Sequence, residues 1–190
     1  MKFDTRTLVL MAIAIVINIV VGQLAVWVKL PLYVDAVGTV LVAILAGPIA
    51  GAVAGVLTNV IWGLVSDPVA MAFFPVSLVI GLLAGFLAKA GWFRTIGKTV
   101  VSGIVIGIIS TIVAVPIIVY MFGGVTGAGT DFATAYMVAV GTELINSVAI
   151  ANLATNLVDK ILTCVIAWII VSRMPGRFTA SFPFYQKANA

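Results

Sequence analysis

The ten Lys and Arg residues of this chain are almost absent from its apolar stretches, and most of them sit in three patches at residues 2–6, 89–98 and 173–187. Such stretches cannot be solvated as the surface of a soluble domain. In a bilayer with a hydrocarbon core about 30 Å thick they read as spans, and the basic patches read as their cytoplasmic ends. Composition agrees, with 63% apolar and only 8% charged residues and a mean hydropathy of +1.29. The expected class is an all-α integral membrane protein. At roughly 20 residues per span, 190 residues fill one compact bundle of six transmembrane helices and leave no separate soluble domain. The first apolar stretch is too long for a signal-peptide core and lacks a clear cleavage site, so it is expected to stay as helix one. Cys164 has no second cysteine to pair with and is expected to be a small core residue.

The expected helices run over about 7–28, 36–46, 49–65, 70–90, 97–122 and 157–172. The region 36–65 reads either as one long helix or as two shorter ones broken at Gly47-Pro48, where proline removes a backbone donor. Charge decides between them. With a cytoplasmic turn at Gly47-Pro48, eight of the ten cations lie inside and only Lys29 and Lys160 lie outside. With a single span there, the partition falls to five against five. The positive-inside rule selects the first topology, with both termini cytoplasmic in a prokaryotic cell membrane. It leaves helix two short for a full span, so that tilt, the flanking loop or local thinning must compensate. It also leaves a long outer segment, 123–156, which opens on a glycine-rich run and continues into polar residues. That segment is expected to fold back over the bundle as a lid.

Catalytic chemistry is largely excluded. The chain has no histidine and one cysteine, which removes zinc clusters and Ser-His or Cys-His pairs. It also lacks a phosphate-cradling G-x-x-x-x-G-K-[ST] loop, so ATP must be hydrolysed by another protein. No cofactor or metal is expected. The small residues from Ala46 to Gly55, and the stripe Gly81, Ala84, Gly85 and Ala88, make smooth helix faces. These suit internal packing or, alternatively, the docking of a partner. Asn18, mid-span in helix one, suits an internal bond or an interface.

The polar residues near the outer ends are more specific. Tyr33 and Asp35 precede helix two, Asn59, Trp62 and Asp67 close helix three, and Tyr136, Glu143, Asn146, Asn152, Asn156 and Lys160 lie on or near the long outer segment. Amides, aromatics and a few charges suit a small solute held by hydrogen bonds and stacking. Because only isolated cations lie on the outer side, they favour a largely neutral cyclic solute over a polyanion. Asp159 beside Lys160 also reads as an interfacial ion pair.

Taken in order, the basic N-terminus, Leu30-Pro31-Leu32-Tyr33-Val34-Asp35, Leu45-Ala46-Gly47-Pro48-Ile49-Ala50-Gly51, and Leu157-Val158-Asp159-Lys160 through Arg173-Met174-Pro175 resemble the substrate-binding S components of energy-coupling factor (ECF) vitamin transporters. The resemblance implies a six-helix subunit of an ABC-type importer that binds a vitamin or precursor in an outward pocket. Its partners would be a membrane coupling subunit and two cytoplasmic ATPase subunits. Family members usually meet the coupling subunit through two alanines spaced four apart on helix one; here Ala12 is followed at that spacing by Val16, and Ala14 by Asn18. The expected interface comprises Ala12, Ala14, Asn18, Gly47 and Gly51. The rival classes are a stand-alone secondary transporter, which would need an intramembrane coupling-ion site that the expected mid-span interiors lack, and an integral membrane enzyme.

Overall fold

The computed structural model describes residues 3–189; Lys2, part of the first basic patch, lies outside them. The helices are α1 (Thr5–Trp27), α2 (Val37–Ala46), α3 (Pro48–Val65), α4 (Pro68–Ala72), α5 (Phe74–Lys89), α6 (Ile96–Phe122), α7 (Asp131–Ala139), α8 (Leu144–Arg173), α9 (Gly176–Thr179) and α10 (Pro183–Asn189). Among the described residues only α1, α3, α6 and α8 are long and apolar enough to cross a membrane, while α2 and α5 are apolar but shorter. The fold is an all-α, multi-span membrane-helix bundle with four full-length candidate spans, where six were expected.

Local chemistry sets the element boundaries. Asp4 caps α1, its carboxylate accepting from the Thr7 N–H at 3.1 Å. Gly47, at φ +98°, turns the chain between α2 and α3, and Pro48 opens α3 where its missing N–H costs nothing. The expected helix over 70–90 is interrupted. Asp67 caps the short α4 through the Val69 N–H, and α5 begins only at Phe74, with Pro75 in its first turn. The largest departure is at the C-terminal side. The expected lid over 123–156 ends at Glu143, and residues 144–156 form the first half of α8, which runs 30 residues where about 16 were expected.

The short α2 is stable because protein surrounds it. Every residue from Val37 to Leu45 is buried, and α2 packs against α1, α3, α5, α8 and α10. Its N-terminus ends inside the bundle, where unpaired N–H groups are costly. Asn18 of α1 meets that need: its Oδ1 accepts the Gly38 N–H at 2.7 Å, while its Nδ2 donates to the Thr39 and Thr58 hydroxyls at 3.0 and 3.2 Å. The glycine stripes serve internal packing. A methyl placed on Gly81 would lie 2.4 Å from the Ala52 nitrogen, and one on Gly85 would lie 2.2 Å from the Pro48 Cα, so α3 and α5 touch backbone to backbone.

These contacts correct most of the expected coupling interface. Ala14 and Asn18 are fully inside the bundle, Gly51 faces Ala43, and Gly47 is covered by the Phe184 ring. Only Ala12 is exposed on the outer face of α1. The basic patches do gather at one end: Arg94 donates to the Ala188 carbonyl at 2.7 Å, α10 packs on α2 and α5, and Arg6 and Arg177 line one groove.

Replacing Asn18 by Ala strands the Gly38 N–H in the interior and is expected to destabilise the protein by about 1–3 kcal/mol, read as a lowered thermal midpoint in detergent. Gly81→Ala is expected to be more damaging than Gly97→Ala, since a methyl at Gly97 meets nothing within 4 Å.

Candidate functional site

At the end opposite the basic groove, beyond the N-terminus of α2, lies a cavity of about 350 Å³. It falls at the lower end of the range for small-molecule pockets, about 300–1,000 Å³. Its walls come from α1 (Gln23, Val26), the 28–36 loop, α3 (Asn59, Trp62), α4 and α5 (Phe73, Val76, Ile80), α6 (Ala114, Ile118) and the outer half of α8 (Asn152, Asn156, Lys160). Phe73 stacks on Phe122, with centroids 6.0 Å apart, and ties the α4–α5 wall to α6.

The 28–36 loop passes from an exposed start into the bundle at residues 33–36, where irregular backbone needs partners within the protein. Asp159 supplies them. Its Oδ1 accepts the Tyr33 and Val34 N–H groups at 3.1 and 2.7 Å, and its Oδ2 accepts from Lys160. Val34 holds φ at +51°, a left-handed conformation uncommon for a β-branched residue, and the carboxylate fixes it there. Lys160 also lies 3.6 Å from Asp35 Oδ1 and 5.6 Å from the Tyr33 ring centroid. Both Asp159 and Lys160 are buried. Arg173 is 14 residues further along α8, about 21 Å on the helix axis, so the ion pair sits well inside the bundle and not at an interface.

Amides and aromatics are fixed by one another. Asn156 donates to Asn152 Oδ1 at 2.6 Å, and Asn152 donates to the Tyr33 hydroxyl at 2.8 Å. Trp62 donates its indole N–H to Gln23 Oε1, which also takes the Ser66 hydroxyl, both at 2.8 Å. Asn59 bridges α4 and α5 through the Ala70 carbonyl and the Ser77 hydroxyl. Over this lies the 123–130 loop, held by Asp131 through the Thr126 and Gly127 N–H groups and by Lys29, which donates to the Gly127 carbonyl at 2.6 Å.

Of the residues expected at a solute site, Tyr33, Asp35, Asn59, Trp62, Asp67, Asn152, Asn156 and Lys160 line this cavity. Tyr136, Glu143 and Asn146 do not: they are exposed, Tyr136 on α7 and the other two at the start of α8, where Asn146 donates to Glu143. Gln23, Ser66, Phe73 and Ser77 line the cavity without having been singled out. Gln23 had a visible signal, an amide inside an otherwise apolar span.

The family model described as ECF transporter, substrate-specific component, matches residues 6–171. The chain belongs to that family. No curated protein and no solved structure matches it. As an ECF substrate-specific component it is a multi-pass membrane transport subunit, not an enzyme, and it works with coupling and ATPase subunits. Family membership, and not an absence of intramembrane acids, now argues against a secondary carrier, because Asp159 stands in mid-helix.

Asp159→Ala leaves Lys160 buried without its closest partner and is expected to cost about 3–5 kcal/mol. Adding Lys160→Met should recover part of that loss, a coupling that a double-mutant cycle of denaturation midpoints measures directly.

Proposed function

We propose that this ECF substrate-specific component captures a water-soluble vitamin or vitamin precursor in the cavity between α1, α3, α5, α6 and α8. In this reading the basic end and both termini are cytoplasmic, α2 and α5 complete a six-helix transmembrane count, and the cavity opens outward. The single observation that carries it is the convergence of Trp62, Asn152, Asn156 and Lys160 on one cavity at the end opposite the basic groove. A membrane coupling subunit and two cytoplasmic ATPase subunits supply the energy. The coupling subunit meets the lipid-facing side of α1 around Ala12.

The experiment combines mass spectrometry of solutes that co-purify with the protein and uptake of the identified solute into proteoliposomes. Uptake is expected only when the coupling and ATPase subunits are added. Uptake by this chain alone would overturn the reading in favour of a secondary carrier. Trp62→Ala is expected to weaken binding of the co-purified solute by about tenfold or more while association with the coupling subunit persists. A bulky residue at Ala12 should give the reverse pattern in pull-down and titration.

A further inference from the structure

Resting on the reading of the cavity as the capture site, we infer that its solute carries a positive or strongly hydrogen-bond-donating group, amidinium-like and attached to a flat ring, and that Asp35 receives it.

The polar groups of the cavity divide into those already committed and those left over. Asp159 is committed, with two backbone N–H groups on one oxygen and Lys160 on the other. The Lys160 ammonium is drawn to Asp159, and Lys29 is drawn to the Gly127 carbonyl. Asp35 is different. Its Oδ1 is buried with no hydrogen-bond partner, and Lys160 stands 3.6 Å away, an ion contact beyond hydrogen-bonding range. The Asp35 side chain nevertheless lines the cavity and stays 22% exposed, so a donor on the solute can reach the carboxylate from the cavity side.

Charge points the same way. Asp35 and Asp67 balance Lys29 and Lys160 in the lining, but both ammonium groups are already engaged, on the Gly127 carbonyl and on Asp159, so an anionic solute would meet Asp35 and Asp67 with neither cation turned to it. The aromatic walls add to this. The Trp62 N–H is bonded to Gln23, which leaves its ring to offer surface and not a donor, and Tyr33 stands beside Asp35. Aromatic rings of this kind attract a cation placed over their faces.

Benzamidine, benzamide and benzoate share one ring and nearly one shape but differ in charge, and they serve as probes. Titrated calorimetrically into detergent-purified protein stripped of bound solute, benzamidine is expected to bind at least about tenfold more tightly than benzamide, with benzoate weakest. Asp35→Asn should abolish that preference and Asp35→Glu should retain it, which separates loss of charge from loss of fold. Benzoate binding as tightly as benzamidine, an order unchanged in Asp35→Asn, or no benzamidine binding at millimolar concentration would overturn the assignment. If ATPase-dependent uptake of the co-purified solute persisted in that case, the capture reading would stand and only the charge preference would fall.

Discussion

The contact on which the site depends is the Asp159 carboxylate receiving the N–H groups of Tyr33 and Val34. The first N–H groups of the 28–36 loop bond back to the last turn of α1, but those of Tyr33 and Val34, further into the bundle, must be answered from elsewhere in the protein. An isolated carboxylate at that depth would be prohibitively expensive. The two problems resolve each other once Lys160 is added, because the loop donors and one ammonium together satisfy both oxygens of Asp159. A buried ion pair of this kind is weak evidence for stability, since apolar packing of equal volume often does as well. Its value here is specific: it holds the 28–36 loop in one conformation and so aims Tyr33 and Asp35 into the cavity.

Much of the bundle was legible in the sequence because the cues were local. The Gly47-Pro48 turn, the opening of α3 at Pro48 and the end of α6 at Gly123 follow from proline and glycine in the sequence. The failure at 144–156 has a clear cause. Asn152, Asn156, Asp159, Lys160 and Thr163 are all buried on one face of α8, whereas Ile150, Leu153 and Val158 are exposed. Mean polarity over such a segment reads as a loop too wet for lipid. The spacing of its polar residues, near three and four, reads instead as a helix whose wet face is turned inward.

The same distinction explains the mixed outcome for the candidate site. Residues anchored to predicted helix ends, such as Asn59, Trp62 and Asp67, reached the cavity because the helices carried them there. Glu143, Asn146 and Tyr136 were grouped with them by polarity and by side of the membrane, criteria that do not specify a direction. Asn146 is only one position from the buried Ser147 and yet faces away. The small-residue stripes could not declare their partner from sequence, because an internal helix and a foreign one ask the same of a glycine face; the backbone contacts of Gly81 and Gly85 assign these stripes to α3 packing on α5.

The depth of the cavity follows from the shortness of α2. At ten residues this helix extends about 15 Å, roughly half the thickness of a bilayer core, whereas α1, α6 and α8 continue past it. None of its residues lines the cavity; the cavity occupies the space that a full-length helix would have filled. Two requirements then fall on the neighbours. The blunt N-terminus of α2 must be closed from below by Asn18, and the chain entering it must be fastened from the side by Asp159. Asp35 stands two residues before the first residue of α2, within reach of the partial positive charge that a helix N-terminus carries. The truncation that opens the space therefore also places the Asp35 carboxylate beside it.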